Sequence, residues 1–189
     1  MKVVAIIPAR GNSKRLSKKN IYPVWNMPMI YWSIKACKDS KFDIDVWVST
    51  ECDEIKQACK DYNVKIHNRD PELSGDFVFK QAVIRSAARH ILENFKYKKE
   101  DIIFISLQAN SPEIKSDHID EAIETLLKYN RSEIISVDEN LMQNAAFRVF
   151  RGKYVFQKDL STNCGVSICN LHDVHTVDDV NILEAKKYA

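Results

Sequence analysis

Five short apolar runs, at about residues 2–7, 44–49, 64–67, 102–107 and 133–137, alternate with four segments whose apolar residues recur every three or four positions. Val3-Val4-Ala5-Ile6-Ile7 has no polar interruption, the pattern of a strand covered on both faces. Ile119, Ala122, Ile123, Leu126 and Leu127 instead mark one stripe of a helix, and similar stripes predict helices over 28–38, 52–62, 76–95 and 116–129. Buried strands linked by helices require right-handed crossovers. The expectation is therefore a single α/β domain over residues 1–189, a doubly wound, mostly parallel sheet flanked by helices. In such sheets ligands bind beyond the carboxyl ends of the strands, so chemistry is expected in the loops after residues 7, 50, 67 and 107.

The order changes after residue 145. Residues 147–150 and 154–156 alternate around Arg151-Gly152-Lys153, which predicts a hairpin. A short strand over 165–169 follows, then a last helix over 178–188 with Thr176 as its N-cap.

With 45% hydrophobic and 29% charged residues the balance is that of a globular chain, and no run approaches the length of a membrane span or a signal peptide, so a cytoplasmic location and no membrane partner are expected. A net charge of +2 gives no reason to invoke nucleic acid. Five cysteines, Cys37, Cys52, Cys59, Cys164 and Cys169, form no C-x-x-C pair and suggest neither a disulfide framework nor a structural zinc site.

The first apolar run opens into Pro8-Ala9-Arg10-Gly11-Asn12-Ser13-Lys14-Arg15-Leu16-Ser17-Lys18-Lys19-Asn20. A small, polar, basic loop at a strand end offers backbone N–H groups and cations to a phosphate-rich ligand. The spacing after Gly11 is neither that of a Walker A loop nor G-x-G-x-x-G, and the bland alternative is a solvated charge run. Ala9, Arg10, Ser13, Lys14, Leu16, Lys19 and Asn20 reproduce Ala-Arg-x-x-Ser-Lys-x-Leu-x-x-Lys-Asn, and through them the chain resembles the sugar-activating cytidylyltransferases, the CMP-sialic acid synthetases (acylneuraminate cytidylyltransferases) above all.

Further segments extend the resemblance. Val48-Ser49-Thr50 followed by Glu51 is similar to a Val-Ser-Thr-Asp turn, with Glu51 in place of Asp. Arg69-Asp70-Pro71-Glu72-Leu73-Ser74-Gly75-Asp76 resembles Arg-Pro-x-x-Leu-Ala-x-Asp with one extra residue. The resemblance implies nucleotide contacts at Ala9, Arg10, Gly11, Asn12, Ser13, Lys14, Asn20, Arg69 and Asp76; Arg69 suits phosphate because its planar fork binds two oxygens, although it also reads as a surface arginine in a turn. Leu107-Gln108-Ala109-Asn110-Ser111-Pro112 is the counterpart of Leu-Gln-Pro-Thr-Ser-Pro, which implies sugar contacts from Gln108, Asn110 and Ser111. Asn163 matches the asparagine of an Arg-Pro-Asn strand that contributes to the sugar pocket, but Ser161 stands where the arginine would be.

The metal-binding Asp-x-Asp-Thr of the family arrives early, as Asp173-Val174-His175-Thr176. Asp173 falls on the first aspartate, His175 on the second and Asp179 on an acidic position opening the helix, so these three are the candidate ligands for Mg²⁺ or another divalent ion such as Mn²⁺. Imidazole replaces a carboxylate poorly around Mg²⁺. His175 is left as a ligand for a softer ion, a proton acceptor or a support of the turn. The resemblance implies a CTP-dependent nucleotidyltransferase acting on a 2-keto sugar acid, sialic acid or another nonulosonic acid, to give CMP-sugar and pyrophosphate, with Arg10, Lys14, Lys19 and Asp173 as catalytic groups. A sugar phosphate or phosphonate acceptor, or a catalytically weak nucleotide-binding relative, are the other readings. Relatives pair through an arm in the region shortened here, which leaves a homodimer and a single chain both open.

Overall fold

The computed structural model describes residues 1–95 and 97–186. Its centre is a seven-stranded sheet built from β1 (Lys2–Pro8), β4 (Ile44–Thr50), β5 (Lys65–Asn68), β6 (Ile102–Leu107), β7 (Glu133–Val137), β8 (Gln143–Arg151) and β9 (Cys164–Ile168). The order is β5-β4-β1-β6-β8-β7-β9, parallel throughout except for β8, which runs antiparallel to β6 and β7. A two-residue ribbon of β2 (Pro23–Val24) and β3 (Met27–Pro28) stands apart, its tight turn using left-handed Trp25 and Asn26.

The helices are α1 (Met29–Lys38), α2 (Asp53–Ala58), α3 (Lys80–Phe95), α4 (Ser116–Lys128) and α5 (Val177–Lys186). β1 explains its own composition: Val3, Ala5 and Ile7 face the core shared with α1, α2 and α4, while Val4 and Ile6 face the core shared with α3. Each such fully buried aliphatic side chain contributes about 1.5 to 3 kcal/mol. A third cluster joins Leu16 of the basic loop to Val24, Met29, Val174, Val180 and Leu183, so α5 packs beneath the loop.

Three expectations need correction. The hairpin over 147–156 is not formed: residues 143–151 make one long strand inserted between β6 and β7, and 152–156 turn as a 3₁₀ helix. Val155 is fully buried in the α3-side core with Phe104 and Phe150, and that burial outcompetes strand pairing. The helix expected over 76–95 starts at Lys80, and the one over 52–62 is α2 followed by a separate 3₁₀ turn. The end of the helix expected over 178–188 lies outside the described residues, and its N-cap at Thr176 is formed, with the Asp179 N–H pointing to Thr176 Oγ1 at 3.4 Å. Among the described residues, no helix is long and apolar enough to cross a membrane.

Candidate active site

The carboxyl ends of β1, β5 and β6 open into a cavity of about 580 Å³, whose lining includes Arg10, Ser13, Lys14, Lys19, Asn20, Asp76, Lys80, Gln108, Asn110 and His175. Loop 9–20 is fixed from within. Ala9 is buried and donates its N–H to the Ser49 carbonyl at 3.0 Å, and the Asn20 amide donates to the Arg10 carbonyl at 2.9 Å. Gly11 donates its N–H to Glu51 Oε1 at 2.7 Å, and a Cβ at this position would come within 2.8 Å of the Cys52 Cβ. Glycine is what allows the loop to lie this close to the end of β4.

That scaffold aims two cations inward. Arg10 Nη1 stands 2.9 Å from Asp76 Oδ1 and Lys14 Nζ 2.5 Å from Asp76 Oδ2, and these hydrogen bonds hold the Asp76 carboxyl below its ordinary range. Lys19 lies deeper; burial lowers its pKa, the Arg15 charge adds to that, and Asp173 opposes it. Ser13 lines the cavity, whereas Gly11 and Asn12 line a smaller neighbouring hollow with Glu51 and Cys52.

Arg69 is nearly completely buried. Its guanidinium donates to the Ser49 carbonyl at 2.5 Å and lies 3.7 Å from Glu51, with one edge reaching the cavity wall. Glu51 also accepts from the Ser74 hydroxyl at 2.9 Å; burial raises its pKa, but the bonds from Gly11 and Ser74 and the Arg69 charge bring the net value below the usual one. Beneath Arg69, His67 Nδ1 is 2.9 Å from Ser49 Oγ, and burial, with His90 and Arg69 nearby, pushes its pKa down to about 4.

Elsewhere around the cavity the segment after β6 meets the segment after β9. Asn110 is stitched to Val174 twice, donating from its amide to the Val174 carbonyl at 3.0 Å and accepting the Val174 N–H on its own carbonyl at 2.8 Å. Asp173 is held by the Ser111 hydroxyl on one oxygen and by Gln108 Nε2, 3.3 Å away, on the other. Ser111 and Gln108, the latter a lining residue of the cavity, thus orient this carboxylate.

Lys80, the first residue of α3, is not singled out by the sequence reading. The residue is exposed at the cavity mouth, but protein atoms crowd its amine, which lowers its pKa to about 8, with Asp173 opposing and Arg148 reinforcing the shift. Glu51 is noticed as a departure from Asp, but its role as anchor of the loop depends on a fold that brings Gly11, Ser74 and Arg69 around it.

Asp179 and Asn163 do not fit the roles expected of them. Asp179 caps α5: one oxygen accepts the N–H groups of His175 and Thr176 and the Thr176 hydroxyl, and the other lies 3.0 Å from His172 Nε2. Its lone pairs are engaged by the helix N-terminus, a capping box rather than a metal ligand. Asn163 precedes β9 at the end of the sheet where β7 begins, bonded to Arg131 and the Asn130 carbonyl, whereas the cavity lies at the end where β6 finishes. His175 Nδ1 accepts from Arg15 Nη2 at 3.2 Å, since arginine can only donate, and burial with Lys19 and Arg15 nearby lowers its pKa. Among the described residues, no three His, Cys, Asp or Glu side chains form a metal-binding group.

The fold and cavity define an α/β protein with a cation-rich pocket for an anionic ligand at the switch between β1 and its neighbours. Residues 4–187 match the family described as cytidylyltransferase, and the chain belongs to that family. It is 36% identical over 133 residues to N-acylneuraminate cytidylyltransferase B of Danio rerio, covering 70% of this chain and 30% of that protein. It is 32% identical over 136 residues to the pseudaminic acid cytidylyltransferase of Campylobacter jejuni, covering 71% of this chain and 57% of the relative. The chain therefore spans about a third to somewhat over half of these relatives. In fold it is similar to a CMP:2-keto-3-deoxy-manno-octonic acid synthetase solved with CTP, with a TM-score of 0.77 at 15% identity, covering 100% of this chain and 99% of the other.

Proposed function

We propose that this chain is a CTP-dependent nucleotidyltransferase that activates a 2-keto sugar acid of the nonulosonic class, releasing pyrophosphate. The observation that carries the reading is the gathering of Arg10, Lys14 and Lys19 around one cavity, with Arg10 and Lys14 both anchored on Asp76 and with Gln108 of the same cavity donating to the carboxylate of Asp173. The sugar's anomeric oxygen attacks the α-phosphorus in line; the new O–P bond forms as the bond to pyrophosphate breaks, and the hydroxyl proton leaves to solvent or a neighbouring base. Such a reaction needs positioned reactants and neutralised charge more than covalent help. Arg10, Lys14 and Lys19 supply fixed cations for the triphosphate and the departing pyrophosphate, and Ser13 adds a hydrogen bond.

The donor set suits a hard divalent ion. Asp173 is a carboxylate held by two neutral donors, and Mg²⁺ is commonly bound by one or two carboxylates together with substrate phosphates. Such an ion would draw charge from the phosphate oxygens. Arg69 and Asn20, which shape the loop and the end of β4, would orient the nucleotide. The proposal includes a cytoplasmic setting, in keeping with five free cysteines, and pairing of two copies over the exposed Val166 and Ile168 of edge strand β9.

The test is pyrophosphate release with each of CTP, UTP, ATP and GTP, in the presence of N-acetylneuraminic acid, pseudaminic acid or a sugar phosphate. Turnover that needs both CTP and a sugar acid is expected. Turnover with the sugar phosphate alone, or none with any combination, overturns the reading.

A further inference from the structure

We propose that Asp76 is a latch on the phosphate site: its carboxylate holds Arg10 and Lys14 until a triphosphate displaces it, and it competes for the same cations when pyrophosphate leaves. The inference rests on the reading above. Arg10 Nη1 stands 2.9 Å from one Asp76 oxygen and Lys14 Nζ 2.5 Å from the other, so a single carboxylate spans both cations as two phosphate oxygens would. All three residues line the cavity. A triphosphate that took the same two donors would meet the Asp76 charge at contact distance, and like charges that close are strongly unfavourable in a space partly closed to water. Asp76 must therefore yield.

Both the strength of the contact and the segment that carries it suit a latch. The Asp76 and Arg10 side chains are part exposed and that of Lys14 is largely exposed, and ion pairs in such settings are weak enough to be exchanged for a phosphate. Residues 75–79 form a strap between two anchors: the Ser74 hydroxyl, which donates to Glu51 at 2.9 Å, and the start of α3, where Gln81 Nε2 donates to the Val155 carbonyl at 2.9 Å. Within the strap Phe77 is 98% exposed and Phe79 82%, so neither ring holds it down. Asp76 is its tie to loop 9–20. Phe77 also falls on the helical stripe of Ile84, Ala88 and Ile91, yet α3 begins only at Lys80, so a strap released from Arg10 and Lys14 can wind back as a further turn of that helix. While Asp76 holds the cations, the apparent affinity of every ligand that needs them is reduced by the fraction of time they are free, for CTP and pyrophosphate alike. The latch thus loosens the leaving group as well as the substrate.

The experiment is calorimetry of CTP and of pyrophosphate on the full chain at fixed ionic strength. Asp76→Asn should tighten both by about three- to tenfold, the size expected for part-exposed ion pairs, whereas Asp76→Glu, which keeps the charge, should tighten neither. Glu72→Gln removes a charge of the same sign from the turn before the strap and should leave CTP affinity within about twofold. Movement of the strap is read from the emission of Phe77→Trp less that of the parent. A side chain already exposed can only gain cover, so CTP should shift this emission to shorter wavelength, and Asp76→Asn in the same background should give part of the shift without ligand. Weaker or unchanged CTP binding in Asp76→Asn, equal tightening in Glu72→Gln, or an emission that CTP does not move overturns the latch. A parent that binds neither CTP nor pyrophosphate defeats the functional reading itself, and the latch with it.

Discussion

The two walls of the cavity are built in different ways. The wall made by loop 9–20 is a continuous stretch of chain, bonded across itself by Asn20 and to Glu51 by Gly11, with Leu16 packed against α5, and the cations it aims are neighbours in sequence. The other wall is assembled from the start of α3, the end of β6 and the turn before α5, with Lys80, Gln108, Asn110 and His175 drawn from distant parts of the chain and Gln108 donating to Asp173 behind it. In the proposed reaction the first wall would take the ligand part common to all reactions of its kind, the triphosphate. The second can change one residue at a time, which suits the part that differs between acceptors.

By this contrast, the largest single loss belongs to the carboxylate held by the residues after β6. Asp173→Ala should remove divalent-dependent turnover by about three orders of magnitude, roughly 4 kcal/mol, because it takes away the carboxylate that Gln108 and Ser111 hold in position. Turnover within tenfold of the parent, measured as pyrophosphate release across a Mg²⁺ series, would place the metal elsewhere.

Next come the loop cations. Lys14→Ala and Arg10→Ala should each cost about 2 to 4 kcal/mol in kcat/KM, through charge developing on phosphate, while the thermal midpoint without ligand moves little. The acceptor KM should shift much less than the CTP dependence. Near-normal turnover would return the loop to the status of a solvated charge run.

The same contrast explains what could be read from the sequence. The parallel strands and their helices were legible because each buried strand is apolar on both faces and each helix carries a stripe; Val3 to Ile7 and Ile119 to Leu127 show both patterns plainly. The loop cations were legible because they are contiguous. Residues 147–156 misled, since alternation fits a strand pair as well as a strand followed by a buried turn, and the choice depended on space beside Phe104 that only the folded chain provides. Lys80 and the anchoring role of Glu51 were hidden for a related reason: each acts through partners far away in sequence. Asp179 misled because an acidic residue at the start of a helix serves a cap as readily as a metal.

Acid should act first on the loop wall. His67 lies beneath Arg69 with a folded pKa of about 4, below the 6.5 of the unfolded chain, so between these values the unfolded state binds more protons. Stability is therefore full above about pH 6.5, falls as the pH drops through this window, and levels off below about 4, with a total loss on the order of 2 to 3 kcal/mol. Urea midpoints of the parent and His67→Gln at pH 7 and pH 4.5 measure it. The difference between the two pH values should shrink in the variant, and an equal difference in both would assign the acid sensitivity to other groups.

The smallest effect is expected at His175, which touches both walls. Its Nδ1 accepts from Arg15 and its backbone N–H goes to Asp179, so the residue joins the basic loop to the start of α5. The backbone bond survives any side-chain change, and a part-exposed hydrogen bond to arginine contributes about 1 kcal/mol or less. His175→Ala should lower stability by no more than that and leave the Mg²⁺ and Mn²⁺ dependence of turnover as in the parent. His175→Asp separates a bridging role from a metal-facing one. A carboxylate here would pair with Arg15 and Lys19 and leave metal use unchanged if the side chain only bridges the walls, but it would tighten Mg²⁺ use if the position faces the ion beside Asp173. Tighter Mg²⁺ use in His175→Asp, with Mn²⁺ favoured over Mg²⁺ in the parent, would move His175 from the bridge into the metal's ligand set.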